Sequence, residues 1–214
     1  MTWTSEWGEV VQRRFAITGH RAPSSGRLNL NDLAGDCGRL DVLVRAVNTG
    51  LFVSHGIRTD SDVTLHLLGG PGPVRRIWFQ GSALRGVHPD ERALAGQVGK
   101  CLKEPVPAIG QLVELHHGLW HAGGGMAQTV AEWRSEDVRL YVLDADAPPF
   151  VPENDEKVGF FLSDDRPFTD EDEAALKGIE RVSLGAGWLQ GHACIAIIHH
   201  ILDGRSLKPR RQPR

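Results

Sequence analysis

The chain has 214 residues, of which 41% are hydrophobic, and its formal net charge is −3. This length and composition suffice for one globular domain with a buried core, whereas proteins that coat nucleic acid without specificity are usually broadly basic. No apolar run approaches the roughly 20 residues that span a bilayer, which argues against a membrane-spanning helix.

The order of patterns along the chain predicts one domain with a short segment at each end. Residues 1–12 are polar and contain two tryptophans, which predicts an N-terminal extension. Residues 13–204 carry the regular patterns, and residues 205–214 form a basic tail that is either a flexible end or an electrostatic arm for RNA phosphates. The start of the chain lacks a basic stretch followed by an apolar one, and the three cysteines are widely spaced, so we expect a cytoplasmic protein with reduced thiols.

The first strand and the first helix are separated by a long polar loop. Residues 14–19 predict the strand, and the loop that follows is rich in Gly, Ser, Asn and Asp. Residues 39–52 have apolar side chains at helical spacing. Asp36, Arg39 and Asp41 surround the first turn of this helix. They are either a helix cap with a surface ion pair or part of a functional site, and spacing alone leaves both interpretations open.

Two strands joined by a turn of glycine and proline come next. Residues 62–68 and 74–80 predict the strands, and the GGPGP sequence between them predicts a hairpin turn, because it lacks the lysine and the helix of a phosphate-binding loop. A helix is expected near 91–102. The arginines of this region are either ordinary exposed charges or a phosphate-contacting face. They are Arg75, Arg76, Arg85 and Arg92.

Six histidines raise the question of a metal site. A strand expected at 111–117 and a helix expected at 126–134 carry or flank three of them, and the last helix carries the others. Metal ligation requires a fixed spacing of ligands such as HExxH or CxxC, and no such motif accompanies these histidines. We therefore expect no metal.

The C-terminal third alternates strands and helices in a way that predicts a parallel sheet. The expected strands are 138–143, 157–162 and 179–184, and the expected helices are 169–176 and 190–202. The carboxyl ends of parallel strands converge at one edge, where such sheets bind ligands, and the glycine turn at 183–187 lets the backbone approach a ligand closely. These ends are Leu143, Leu162 with Ser163, and Leu184 with Gly185. We expect a small-molecule site there, although no GxGxxG motif of an ordinary dinucleotide site follows any strand.

Several short motifs occur in a specific order along the chain. They are LNDL (30–33), GDCGRLDVL (35–43), FVSHGIR (52–58), FQGSAL (79–84), PDER (89–92), FLSD (161–164), VSLG (182–185) and HACI (192–195). In this order the chain resembles the TrmY-type tRNA pseudouridine N1-methyltransferases of the SPOUT superfamily, which have a deep C-terminal trefoil knot. The resemblance covers nearly the whole chain after the N-terminal extension.

The resemblance implies a fold, a cofactor and an assembly. The implied fold is α/β, with a mostly parallel sheet, helices on both faces and a trefoil knot in about 138–204, and the implied assembly is a homodimer packed beside the cofactor. S-adenosylmethionine (SAM) would lie among the knot loops. The implied cofactor-binding residues are Leu143, Leu162, Ser163, Ser183, Leu184, Gly185, Leu189 and Cys194. Ser163 departs from the family pattern, because archaeal members have glycine there.

The implied activity is SAM-dependent methylation of N1 of a pseudouridine in the T-loop of tRNA, of the position 54 type. Direct transfer requires that acceptor and methyl group are held close and that the N1 proton leaves. Asp41 is a candidate for accepting that proton and Arg39 for stabilising the developing anion, with Asp36 as a second carboxylate. Cys194 is expected to pack against the cofactor. Alternatives are methylation of rRNA or another nucleoside, a non-catalytic protein that binds SAM and RNA, and, from another class, a metal-dependent hydrolase.

Overall fold

An eight-stranded sheet covered by helices on both faces organises the fold. The computed structural model describes residues 11–185 and 187–206. The strands are β1 (Gln12–Gly19), β2 (Phe52–Val53), β3 (Gly56–Ile57), β4 (Ser61–Leu67), β5 (Arg75–Gln80), β6 (Leu112–His116), β7 (Leu119–Gly123), β8 (Arg139–Leu143), β9 (Lys157–Ser163) and β10 (Glu180–Val182). The helices are α1 (Leu40–Leu51), α2 (Glu91–Lys103), α3 (Met126–Ser135), α4 (Asp170–Ala175) and α5 (Gly191–Ser206).

The two predicted end segments fall largely outside the described residues. Residues 1–10 and 207–214, which hold most of the predicted extension and tail, are not among them, and neither is Ala186 of the glycine turn. Strand β1 begins at the last residue of the predicted extension, and α5 extends two residues into the predicted tail.

The sheet is parallel where the predicted site lies and antiparallel elsewhere. Its strand order is β10-β8-β9-β1-β4-β5-β7-β6, and the strands from β10 to β4 run parallel. The remaining pairings, from β4 to β6, are antiparallel. The hairpin prediction is confirmed, because the GGPGP turn joins β4 to antiparallel β5. A connection of that length is too short for the crossover that parallel strands need.

Successive side chains of β1 point to opposite faces of the sheet and so belong to two separate hydrophobic cores. Phe15 and Ile17 pack with α1, α2 and α5 on one face of the sheet, and Ala16 packs with α3 and the residues around α4 on the other. All three side chains are fully buried. Covered faces on both sides explain why the central parallel strands are apolar along their whole length. Among the described residues, no helix combines the length and the apolarity needed to cross a bilayer.

Strand β7 is the main element that the sequence did not predict. It lies between β5 and β6, and only two residues separate it from β6. Gly118 in that connection has a φ of 76°, which suits a tight turn. Its sequence, LWHAG, does not alternate apolar and polar residues, so no strand pattern marks it. The strands of the β2-β3 hairpin have two residues each, which is too few to show a period.

Two of the four candidate phosphate-binding arginines are structural. Arg75 is fully buried and donates to the carbonyl oxygens of Cys101 and Glu104, at the end of α2. Arg76 is 5% exposed and forms a two-point contact with Glu132, at 2.6 and 2.8 Å. The interpretation of these arginines as one exposed phosphate-contacting face is therefore wrong.

The last helix, α5, is fastened to β1 by charge as well as by apolar packing. Asp203 accepts hydrogen bonds from Arg13 at 2.7 Å and from Arg58 at 2.6 Å. Burial and the charges of Arg58 and Arg13 lower the pKa of His199 to about 3, so its ring is neutral at physiological pH. Its Nδ1 accepts from Arg13 and its Nε2 donates to the carbonyl of Gly50, both at 3.1 Å. These contacts join α5, β1 and α1.

Two glycines let the long loop after β1 pack tightly at the end of the sheet. Gly38 has a φ of 56°, and a Cβ on it would lie 1.9 Å from the carbonyl oxygen of Arg21. A Cβ on Gly69 would lie 2.1 Å from the same oxygen. The loop is therefore clamped between the residues that follow β4 and those that precede α1.

Replacing Gly38→Ala should lower the free energy of unfolding by about 2 kcal/mol or more, because the new methyl group meets backbone and the positive φ is strained. Denaturant titration measures the change. Gly56→Ala is the control, since a Cβ there meets nothing within 4 Å and its φ is ordinary. Equal stability of the two variants would contradict the clamp.

Candidate functional site

A cavity of about 720 Å³ lies at the carboxyl ends of β8, β9 and β10. Its volume is in the range of roughly 300–1,000 Å³ that is typical of small-molecule sites. Six of the eight predicted cofactor-binding residues line it. They are Leu143, Leu162, Ser163, Leu184, Leu189 and Cys194. The structure therefore brings together side chains from three strand ends, from the segment 187–190 and from α5.

The other two predicted residues, Ser183 and Gly185, are not part of the lining but fix the segment that follows β10. Ser183 is 7% exposed, and its hydroxyl accepts a hydrogen bond from the backbone N–H of Gly185 at 3.0 Å. Its backbone N–H donates to Pro148, and its carbonyl accepts from Phe150, both at 2.7 Å. The segment after β10 is thereby held against the loop after β8, and Gly185, with a φ of 76°, turns the chain away.

Ser163, the departure from the family pattern, fits its position. Positive φ angles among the described non-glycine residues occur at Arg39 and Asp137, so the backbone of Ser163 does not require glycine. Its hydroxyl donates to the carbonyl oxygen of Arg166 in the same turn. The serine side chain is therefore accommodated by a local hydrogen bond.

Arg39 lines the cavity and comes from the long loop, far in sequence from most of the lining residues. It adopts a left-handed backbone conformation, with φ 66° and ψ 31°, immediately before α1. Its guanidinium donates to both carboxylate oxygens of Asp41, at 2.9 and 3.2 Å, and lies 3.8 Å from Asp165. The predicted pairing of Arg39 with Asp41 is therefore present in the structure, at the cavity wall.

Asp41 is buried and doubly paired. It is 4% exposed, and Arg45 adds a third hydrogen bond at 2.8 Å. Burial by itself raises the pKa of Asp41, but the hydrogen bond from Arg39 and the charges of Arg39 and Arg45 outweigh it and leave that pKa below its usual value. A lowered pKa makes a carboxylate a weaker proton acceptor. Its role as the base stays a prediction, and its contacts favour a role in holding Arg39.

Asp36 lies apart from the cavity lining. It is exposed in the long loop and accepts a hydrogen bond from the side chain of Asn29 at 2.7 Å. Of the three predicted catalytic residues, Arg39 lines the cavity, Asp41 contacts it through Arg39 without lining it, and Asp36 does neither. Its role as a second carboxylate stays a prediction.

Sequence reasoning missed a charged rim and an exposed aromatic residue. Arg181 pairs with Asp144 at 3.1 Å and with Glu173, and all three line the cavity. Asp165 lines it as well, and so does Trp188, which is 85% exposed. Asp144 and Asp165 follow the ends of β8 and β9. The expectation that ligands bind at the carboxyl ends of parallel strands, which we call the strand-end rule, located the leucines and could also have located these carboxylates.

One histidine and one carboxylate connect the long loop to the cavity. The backbone N–H of His20 donates to Asp164 at 2.8 Å, and the ring Nδ1 lies 2.7 Å from the same carboxylate. Asp164 lines the cavity directly after β9. The loop that begins at the end of β1 is therefore attached to the cavity wall at its first residue, and Arg39 returns to the same wall at its end.

The histidines considered as metal ligands are engaged in other contacts or spread over different elements. His121 contacts Arg75 at 3.2 Å, and His116 contacts Gln97 at 2.7 Å. Within residues 11–185 and 187–206, no three His, Cys, Asp or Glu side chains form a group arranged to hold a metal ion.

A family model described as "Putative SAM-dependent RNA methyltransferase" matches residues 12–207. The tRNA (pseudouridine(54)-N(1))-methyltransferase of Haloferax volcanii is 41% identical over 196 residues, which cover 89% of this chain and 96% of that one. The enzyme of the same name from Methanosarcina mazei is 36% identical over 195 residues, covering 89% and 90%.

A solved structure shares the fold. The crystal structure of Archaeoglobus fulgidus Nep1 bound to S-adenosylhomocysteine matches with a TM-score of 0.63 at 13% identity, and the match covers 91% of this chain and 98% of that one. This likeness confirms the predicted SPOUT-type α/β fold.

Proposed function

Because the chain belongs to the family of SAM-dependent RNA methyltransferases that its residues 12–207 match, we propose that it transfers a methyl group from SAM to N1 of a pseudouridine in tRNA. The observation that carries this proposal is the sequence identity of 41% and 36% to two archaeal tRNA pseudouridine methyltransferases, over about nine-tenths of each chain. Those relatives are named for position 54, so the corresponding T-loop nucleotide is the proposed acceptor.

The cavity suits SAM by the chemistry of its lining. Leu143, Leu162 and Leu184 offer apolar surface to a flat adenine ring, and the carboxylates of Asp144 and Asp165 can accept hydrogen bonds from hydroxyl and ammonium groups. When bound, SAM supplies a methyl group activated by the positive charge of its sulfonium. The part of the protein is to hold acceptor and donor at a short distance in a fixed orientation.

Arg39 is the proposed catalytic residue. It lines the cavity, and its left-handed backbone and its two hydrogen bonds to Asp41 fix the position of its guanidinium. A fixed cation beside the acceptor stabilises the negative charge that develops on a pyrimidine ring as its N1–H proton passes to a water molecule. Asp41 is the positioning residue for Arg39 in this proposal.

The proposed assembly is a homodimer with a threaded C-terminal segment. Trp188 is 85% exposed beside the cavity, an unusual position for an indole in a monomer, and a second copy packed there would cover it. The backbone bonds of Ser183 to Pro148 and Phe150 hold the last segment against the loop after β8 before it crosses to β1, which supports threading. Light scattering tests for the dimer, because it measures the mass in solution. Mechanical stretching tests for the knot, because a chain with a tightened knot extends less than the contour length of all its residues.

The acceptor is tested with tRNA transcripts that carry either pseudouridine or uridine at the T-loop position. The expected product is 1-methylpseudouridine, formed with the first transcript only, because uridine has a glycosidic bond at N1. Methyl incorporation from radiolabelled SAM and mass spectrometry of the digested RNA measure it. Methylation of ribosomal fragments alone would assign another acceptor, and SAM binding without turnover on any RNA would favour a non-catalytic binding protein.

The cofactor pocket is tested by filling it. Cys194→Phe places a ring in the cavity and should weaken SAM binding at least about tenfold. Isothermal calorimetry measures the dissociation constant. Ala196→Phe is the matched control on the same helix, since Ala196 is exposed and is not part of the lining, and it should change the constant less than about twofold. Equal affinities of both variants would place SAM elsewhere.

The roles of Arg39 and Asp41 are tested by a double-variant cycle. Arg39→Ala should lower turnover by about 10² or more, and Asp41→Asn should lower it as well, each with SAM affinity nearly unchanged. If Asp41 acts by holding Arg39, the double variant loses no more than Arg39→Ala alone. If the fold-losses in turnover of the two single variants multiply in the double variant, Asp41 acts independently of Arg39, as a proton acceptor would.

A further inference from the structure

A second groove lies beside the long loop, separate from the lining of the cavity. Its volume is about 470 Å³, and its lining comes from the loop and from the second half of α2. The lining residues are Arg27, Leu28, Leu30, Gly96, Gly99 and Lys103. The groove thus combines two cations, two apolar side chains and two glycines, and contains no carboxylate.

The two cations of the groove have no counter-charge. Arg27 and Lys103 are both exposed, and within the described part of the chain neither side chain forms an ion pair or hydrogen bond. At the cavity, in contrast, Arg39 and Arg181 are each paired with carboxylates, and among the lining arginines only Arg166 has no ion pair within the described residues. Unpaired cations that line a concave surface attract an anion of matching size.

The position of the groove at the end of a helix would normally disfavour an anion, because the C-terminus of a helix carries partial negative charge. Here the last carbonyls of α2 are already satisfied. The buried Arg75 donates to the carbonyls of Cys101 and Glu104, and the N–H of Gly26 donates to that of Leu102 at 3.2 Å. A buried guanidinium therefore neutralises the helix end that borders the groove.

The glycines of α2 leave the floor of the groove open. A Cβ on Gly96 would meet nothing within 4 Å, and one on Gly99 would meet only Leu28, at 3.5 Å. No packing requirement therefore demands glycine at these two helical positions, where it lowers helix stability. The space they leave, bordered by Leu28 and Leu30, suits a flat apolar group next to the anion.

The groove and the cavity lie at the same end of the sheet and are connected by the long loop. The loop starts at His20, which is bonded to Asp164 of the cavity lining. It then passes through Arg27 and the groove, and it returns to the cavity at Arg39. The start of β5, where Arg75 caps α2, pairs with the end of β4, so α2 ends at this same edge. Both sites therefore lie at the edge of the sheet where the carboxyl ends of β1 and β4 meet.

We propose that this groove binds a phosphate and the adjoining nucleoside of the RNA whose acceptor nucleotide enters the cavity. The proposal rests on the proposed function and adds to it a second contact site on the RNA. Arg27 and Lys103 bind the phosphate, and the apolar floor over the glycines accepts the base or the sugar.

The test compares two pairs of charge-removing substitutions. Arg27→Ala with Lys103→Ala removes the groove cations. Arg134→Ala with Lys177→Ala is the matched control, because both residues are exposed and belong to the face of the sheet that α3 and α4 cover. Fluorescence anisotropy with a labelled pseudouridine-containing tRNA transcript, over a series of salt concentrations, gives the affinity and its salt dependence. Calorimetry with SAM is run in parallel.

We expect the groove variant to bind tRNA about tenfold more weakly than wild type, with a slope of log K against log salt that is smaller by about 0.7–0.9, as for the loss of one phosphate contact, and with SAM affinity unchanged. The control pair should match wild type. Gly96→Leu, which fills the floor without changing charge, should weaken tRNA binding and leave the slope unchanged.

Three results would overturn the groove proposal. In the first, wild type binds and methylates tRNA while the groove variant behaves as the control pair does. In the second, Gly96→Leu has no effect on tRNA affinity. In the third, the groove variant differs from wild type in the mass measured by light scattering but binds RNA as tightly. That result would make the groove an interface between two copies of this chain. Failure of wild type to bind any RNA would instead count against the proposed function.

Discussion

The return of α5 to β1 is the constraint on which the rest of the structure depends. The chain leaves the edge strand β10, crosses the ends of β8 and β9, and is then held at the centre of the sheet. Apolar packing and the contacts of Asp203 with Arg13 and Arg58 fasten the helix there. Because both ends of the crossing segment are fixed, residues 187–190 are held in place as one wall of the cavity, although they are exposed.

Charge is distributed unequally along the end of the sheet. At the cavity, the guanidinium groups of Arg39 and Arg181 are each paired with a carboxylate. The pairing fixes their positions and limits the net positive charge at the site proposed for the sulfonium of SAM. At the groove, Arg27 and Lys103 have no such partners among the described residues. The long loop therefore ends at a fixed, paired arginine and carries an unpaired one, Arg27, in its middle.

Local patterns predicted most of the elements and the position of the site. The helices α1 and α2 and the strands β4, β5, β8 and β9 were found within one or two residues, because their apolar periods are long enough to detect. Strand β7 was missed, because a short strand in an antiparallel meander is stabilised by its neighbours on both sides more than by its own pattern. The strand-end rule placed Leu143, Leu162 and Leu184 at one cavity.

By itself, the sequence determined the α/β class, the family and the edge of the sheet at which a ligand binds, since these follow from the order of elements and from short motifs. Only the tertiary structure decided the electrostatic state of Asp41, the burial of Arg75 and the existence of the groove beside Gly96. Those properties depend on which charges and surfaces meet across distant segments. Spacing along a chain does not contain that information, because desolvation and ion pairing arise when the segments pack.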